Sequence, residues 1–341
     1  MRQTEIHVAG AVPDSADWAS AVAGGPPQLS ARWLTCHAAS FDRPSEYAIA
    51  YVGGRPAAAA VFHVRFDTDH HTKYRLSNLQ PGCRSAEPSL VVVAPSSYVS
   101  GLHVACGVAA REAGFAVRAL VAELRRRAAD AGATTLLFPH IADPAPGWLR
   151  EEVAEEGALF PMSDSAYLDL RRISTFDDYL ATLPAKRKRE TARERRAFTA
   201  AGLSVEVAGE VPITPALLER QVAHYRRHGL EADRERVAGQ FLALQKDYAG
   251  RLHHVTVLRD GAEAIGHVLA VEEGEWLIPK LAGFTGREGF GYFEATYYTM
   301  IDLALRSTAC ERIDYGGAAI EAKVRRGCRI RPLQGALLST T

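Results

Sequence analysis

The sequence is poor in the features that announce a function outright. Its five cysteines, at 36, 83, 106, 310 and 328, never form a C-x-x-C. That spacing argues against a zinc knuckle or a disulfide framework and for a reducing cytosol. Lysine is scarce, and acidic and basic side chains cancel to a formal net charge of zero. No global field therefore draws the chain to nucleic acid or to a membrane, and any such attraction must be local. The sequence contains no run of ~18 apolar residues that would span a bilayer, and its first residues show no charged-then-apolar signal pattern. These absences predict a cytoplasmic protein with no membrane span.

The chain does have size and an ordinary balance of residues. Its 341 residues are 47% apolar and 23% charged, as in a soluble globular protein with room for two domains. Tyr47–Val64 reads as a hairpin turning at Gly53-Gly54, and His253–Val271 repeats the idea at a second glycine turn. Each hairpin is followed by a strand, a loop, an amphipathic helix and another strand. In the first half these are Leu90–Ala94, Pro95–Gly114, Phe115–Ala131 and Thr134–Phe138. In the second they are Glu275–Ala282, Gly283–Gly289, Tyr292–Arg306 and Arg312–Tyr315. The match is one of element order, and it predicts two copies of one αβ unit. Further short elements are expected: helices at Leu29–Ala39, Trp148–Glu156, Thr214–Arg227 and Glu231–Tyr248, and strands at Ala166–Leu170 and Val205–Val207.

Three stretches hold candidate chemistry. The first is the glycine-rich loop Gly286–Gly291, with Arg287 and Gly289 inside it, opening a helix. Close backbone approach and a helix N-terminus suit a phosphate, although a simple N-capped loop fits the same pattern. The second is the turn after Ile313, where Asp314, Tyr315, Gly316 and Gly317 precede Glu321 and Lys323. The third is Lys186–Arg196, with seven basic and two acidic residues. Lys186, Arg189, Arg193 and Arg196 share one helical face there, fit either to bind phosphates or to sit in solvent beside internal pairs such as Lys186–Glu190. His224 and His228 stand four apart without the glutamate of H-E-x-x-H, so a metal site is not expected. Cys310 and Cys328 lack a histidine motif for nucleophilic catalysis.

The second half resembles the FemAB-like branch of the GNAT acyltransferase superfamily, which includes the BioF-like acetyltransferases. The resemblance lies in Phe176–Val207, Tyr292–Leu305 and Ile313–Gly327. It implies an α/β protein of two tandem GNAT-like domains with mixed, mainly antiparallel sheets, at 1–172 and 173–341, with the active site in the second. It also implies N-acyl transfer to the amine of a small metabolite or cell-wall-type precursor. The co-substrate would be aminoacyl-tRNA, on the strength of the basic segment, or acyl-CoA, on the strength of the glycine loop. No tightly bound cofactor is implied. Lys323 matches the family's channel lysine, with Asp314 and Glu321 as candidate bases. Glu272, near the end of a hairpin strand, is a further candidate base. Gly286, Arg287, Gly289 and Gly291 would hold the co-substrate. Lys186, Arg189, Arg193, Arg196 and Tyr315 would hold substrate or phosphate, with tRNA a possible partner. A non-catalytic, degenerate GNAT pair that binds a metabolite remains the alternative of a different class.

Overall fold

The computed structural model describes residues 4–13, 15–41, 43–66, 74, 79, 88–143, 146–147, 149–151, 157–230, 232–286 and 290–340. The chain forms two compact units. One is Met1–Ser165 together with Arg331–Thr341, and the other is Ala166–Ile330.

In the first unit, β1 (Thr4–Ala9), β2 (Glu46–Val52) and β3 (Arg55–Arg65) form an antiparallel meander. Gly53 and Gly54 both have positive φ, +60° and +76°, which the tight two-residue turn between β2 and β3 requires. β4 (Ser89–Val91) follows, then β5 (Leu102–Val104), which pairs with β3. The helix α3 (Ala110–Asp130), third after α1 (Ala16–Ala21) and α2 (Ala31–Cys36), leads to β6 (Thr135–Ala142). It buries Ala113, Ala116, Val117, Leu120, Val121, Leu124 and Ala128, one face at helical spacing. Gly132, at φ +71°, ends the helix, and the Ala133 N–H closes back on Ala128 O. β4 and β6 are parallel, as a strand–helix–strand crossover demands.

In the second unit, α4 (Phe176–Thr182) and α5 (Ala185–Ala200) precede β9 (Leu203–Ala208). Then come α6 (Pro215–Arg227) and α7 (Arg234–Asp247), and the meander β10 (Leu252–Arg259), β11 (Glu263–Glu273) and β12 (Trp276–Phe284). Gly291–Phe293, Glu294–Tyr298 and Thr299–Arg306 run on as one helix, α8, whose middle segment is a π turn. It leads into β13 (Arg312–Gly316), parallel to β12, and then the short α9 (Ile320–Val324). The repeat expected from element order is thus present as two sheets of one topology, each with a parallel pair across its helix.

Four findings differ from or add to the sequence reading. The expected loop Pro95–Gly114 holds β5 and the first turn of α3. Residues 329–339, for which the sequence predicts no element, form β14 (Arg329–Arg331) and β15 (Leu333–Ser339). The expected helix Trp148–Glu156 falls mostly outside the described residues. The units also do not divide at 172/173. β8 (Ser165–Asp169) pairs with β13, while β15 pairs with β6 and with β7 (Gly157–Pro161). The strand beside β6 comes from the C-terminal end of the second half of the chain, and the strand beside β13 from the C-terminal end of the first.

Candidate active site

The second unit opens where β12 and β13 part. Their ladder covers only Trp276↔Arg312 and Leu277↔Ile313. Beyond that point β12 is distorted. Its register against β11 slips between Leu269 and Ala270, which face Leu281 and Pro279, so Lys280 is the extra residue of a bulge. Pro279 contributes no N–H there. Gly286 lies exposed just past β12, while Arg287 and Gly289 lie outside the described residues. Gly291 is buried at the start of α8. A Cβ there would come within 3.2 Å of Val257 Cγ1 and 3.7 Å of Leu203 Cδ1. Its lack of a side chain therefore serves close packing of α8 on the sheet, where a ligand contact had been expected.

A cavity of about 620 Å³ lies between α5, the first half of α8 and α9. Helix α5 contributes Arg187, Glu190, Thr191, Arg193 and Glu194, α8 contributes Phe293 and Tyr298, and the α9 region contributes Glu321, Arg325 and Arg326. The polar groups in its wall are strongly organised. Glu194 accepts from Arg326 Nη2 at 2.8 Å and from the Tyr298 hydroxyl. Arg326 also donates to Ala322 O at 3.0 Å and stacks 3.8 Å over the Phe293 ring. Burial is the main reason the Tyr298 hydroxyl is pushed up to about 12, with the bond to Glu194 adding to it. Just behind, Glu294 pairs with Arg195 at 3.1 Å, and burial raises its carboxyl above the usual range.

The predicted face of α5 divides on inspection. Lys186, Arg189, Arg193 and Arg196 are all exposed, and among the described residues none of the four makes an ion pair. Only Arg193 also lines the cavity. The pairing expected between Lys186 and Glu190 is made by Arg187 instead. At ~1.5 Å rise per residue the four cations form a strip about 15 Å long.

The three predicted catalytic residues do not converge on one reacting point. Lys323 is buried, and its Nζ donates to the carbonyls of Tyr315 (2.7 Å), Gly316 (2.9 Å) and Gly317. It is a clamp on the turn, where a cation facing the ligand had been expected. Burial pulls its ammonium down to about 8. Asp314 is also buried, and its Oδ1 accepts the Gly316 N–H at 2.8 Å. Glu321 stands on the cavity rim, 89% exposed, beside Arg325 at 3.3 Å. The Tyr315 ring lies tilted against Tyr297 with centroids 4.8 Å apart, and its buried hydroxyl has no hydrogen-bond partner among the described residues. Glu272 accepts from His253 and from Ser307, which commits it to the hairpin. The His224 and His228 rings are 4.6 Å apart, and among the described residues no group of three ligands suited to a metal surrounds them. Sequence reasoning did not single out Glu194, Tyr298 or Phe293 as site residues; Glu190 and Glu194, one turn apart beside the basic face, were the available signal.

The FemAB-like family model, described as peptidoglycan biosynthesis/recognition, matches residues 83–336. The chain belongs to the FemAB-like family. Among solved structures, FemX superposes with a TM-score of 0.61 at 10% identity, covering 89% of this chain and 90% of that one. A tandem GNAT protein from the clavulanic acid biosynthesis pathway gives 0.58 at 16% identity, covering 99% of both. A conserved protein of unknown function from Bacteroides thetaiotaomicron gives 0.56 at 9% identity, over 97% of this chain and 94% of that one. No curated protein matches the sequence. This FemAB-like protein thus has a tandem GNAT fold and is an N-acyltransferase. No helix among its described residues is long and apolar enough to cross a membrane.

Proposed function

We propose that this FemAB-like protein transfers an aminoacyl group from aminoacyl-tRNA to the amine of a small metabolite or cell-wall-type precursor, in its second unit. The observation that carries this reading is Arg193, which belongs both to the exposed basic strip of α5 and to the wall of the cavity. A polyanion lying along Lys186, Arg189 and Arg196 would pass over Arg193, and so beside the cavity. Exposed cations that make no close ion pair suit phosphates, although Lys186 and Arg193 also attract Glu190 at longer range. Glu194, Tyr298 and Arg326 then supply donors and acceptors that orient what enters the cavity.

A second reading takes the donor as acyl-CoA. The parting of β12 from β13 beside the bulge at Lys280 favours it, because an extended thiol-bearing arm fits between separating strands. Binding decides between the two. The purified protein is titrated with alanyl-tRNA at low and moderate salt, and in parallel with acetyl-CoA. The aminoacyl reading expects tRNA binding that weakens steeply with salt. It also expects Lys186→Ala/Arg189→Ala/Arg196→Ala to lower the salt slope by about 2 in log–log units, at roughly 0.7–0.9 per phosphate contact. Saturable acetyl-CoA binding with salt-insensitive, weak tRNA binding selects the second reading.

A further inference from the structure

The carboxylate of Glu194 is used on one side only. Both of its bonds, from Arg326 Nη2 at 2.8 Å and from the Tyr298 hydroxyl, end on Oε2. An ionised carboxylate offers lone pairs on both oxygens, so Oε1 keeps its whole accepting capacity. Among the described residues no donor reaches it. Nor is it sealed in. Glu294, just behind, has a carboxylate oxygen that is both unpartnered and shut away from solvent, whereas Glu194 has none. The Glu194 side chain is 13% exposed and lines the cavity. Oε1 is therefore the oxygen that meets whatever enters there.

Its direction is fixed in advance. Tyr298 holds Oε2 from α8, and Arg326 holds it from the end of α9. The other two carboxylates of the wall are placed differently. Glu190 is 28% exposed beside Arg187, and Glu321 is 89% exposed beside Arg325. Glu194 is the deepest of the three, where water screens a charge least. A held, half-used carboxylate at depth matches a cationic N–H donor, which forms the stronger, charge-assisted kind of hydrogen bond.

We infer that Glu194 Oε1 is the seat of the acceptor's ammonium, so that the acceptor is a primary alkylamine that enters the cavity in its charged form. The inference rests on the acyl-transfer reading of this unit and names the class of amine it takes. Glu194 is then a specificity-determining residue. It favours amines that are charged in neutral solution over uncharged ones, by the hydrogen bond it accepts from the ammonium. It binds the acceptor and takes no part in making or breaking the acyl bonds.

The test uses the full chain, with alanyl-tRNA and acetyl-CoA as donors and two amines as acceptors. Nα-acetyl-L-lysine carries one alkylammonium in neutral solution. Its carboxylate offsets the surplus of positive charge in a wall of four arginines and three glutamates. Hydroxylamine is uncharged in neutral solution and gives Glu194 no ammonium to hold. The readout is the ratio of the two kcat/KM values, acyl-lysine over hydroxamate, each above its uncatalysed background. That ratio does not depend on how much of a variant is folded. Glu194→Gln can still accept from Tyr298 and Arg326, but it turns an amide NH₂ to the cavity. Loss of a hydrogen bond to a charged group is expected to lower the ratio about 10- to 100-fold. A ratio within about threefold of wild type overturns the inference whatever the absolute losses, because a carboxylate that only braces the helices slows both amines alike. Should Glu194→Gln yield no folded protein, Glu194→Gln/Arg326→Met removes both buried charges and is read against the same limits. A wild-type protein that binds neither donor overturns the functional reading and this inference with it. One that forms hydroxamate but no acyl-lysine overturns the inference alone.

Discussion

Arg326 donates to Glu194 at 2.8 Å with both side chains nearly out of solvent, at 7% and 13% exposure. The pair ties the end of α9 to the middle of α5, and Tyr298 closes it from α8. Removing one member of a buried pair strands the other charge, which costs about 3–5 kcal/mol, whereas removing both costs far less. Glu194→Ala is expected to lower stability by that order. Glu194→Ala/Arg326→Met is expected to recover a large part of the loss. Urea unfolding of the singles and the double checks it, and simple additivity would refute the coupling.

Stability should also fall in acid for a reason that can be located. His267 is fully buried, with Nε2 2.9 Å from Gln221 Oε1. Burial first, then Arg220, His254 and His224, push its imidazole down to about 3 from an ordinary value of 6.5. Between those values the unfolded chain binds a proton that the folded chain refuses. The stabilisation is complete above about pH 6.5 and drains away as pH falls towards 3. The urea midpoint is expected to drop steadily from pH 7 to pH 4, and His267→Met to drop less steeply. Parallel slopes for the two proteins would assign the acid limb elsewhere.

Gly291 separates packing from binding. A Cβ there meets Val257 at 3.2 Å, tight enough that Gly291→Val overpacks the seat of α8 and should cost about 1–3 kcal/mol. The smaller Gly291→Ala should keep the donor Kd within twofold. Loss of donor affinity at unchanged melting temperature would return Gly291 to the binding loop.

The parts legible in the sequence were those with local periodicity. Both hairpins, both long helices and the tandem order follow from apolar spacing and glycine turns, and the structure has them. The basic segment was legible as a helix with a cationic face, and that face is the exposed one. What did not show was who partners whom. Lys323 and Asp314 look like free charges in the sequence, yet three carbonyls and one N–H consume them. Glu190 lies four residues from Lys186 and three from Arg187, both within one helical turn, and it pairs with Arg187. Strands β8 and β15 are too short to declare their sheets, because pairing over such a distance leaves no mark in local pattern.

The same exchange of strands sets the order in which the protein can be made. β15 lies between β6 and β7, yet its residues leave the ribosome after the whole of Ala166–Ile330. At roughly 5–20 residues per second, β6 and β7 wait on the order of ten seconds or more with an open slot between them. During that interval an apolar edge is offered to any passing strand, a reason for a chaperone to attend the nascent chain. A gene divided at 172/173 would make the wait permanent. The first half would keep a β8 it cannot use, the second would keep an orphan β15, and neither sheet would close unless the halves were made together.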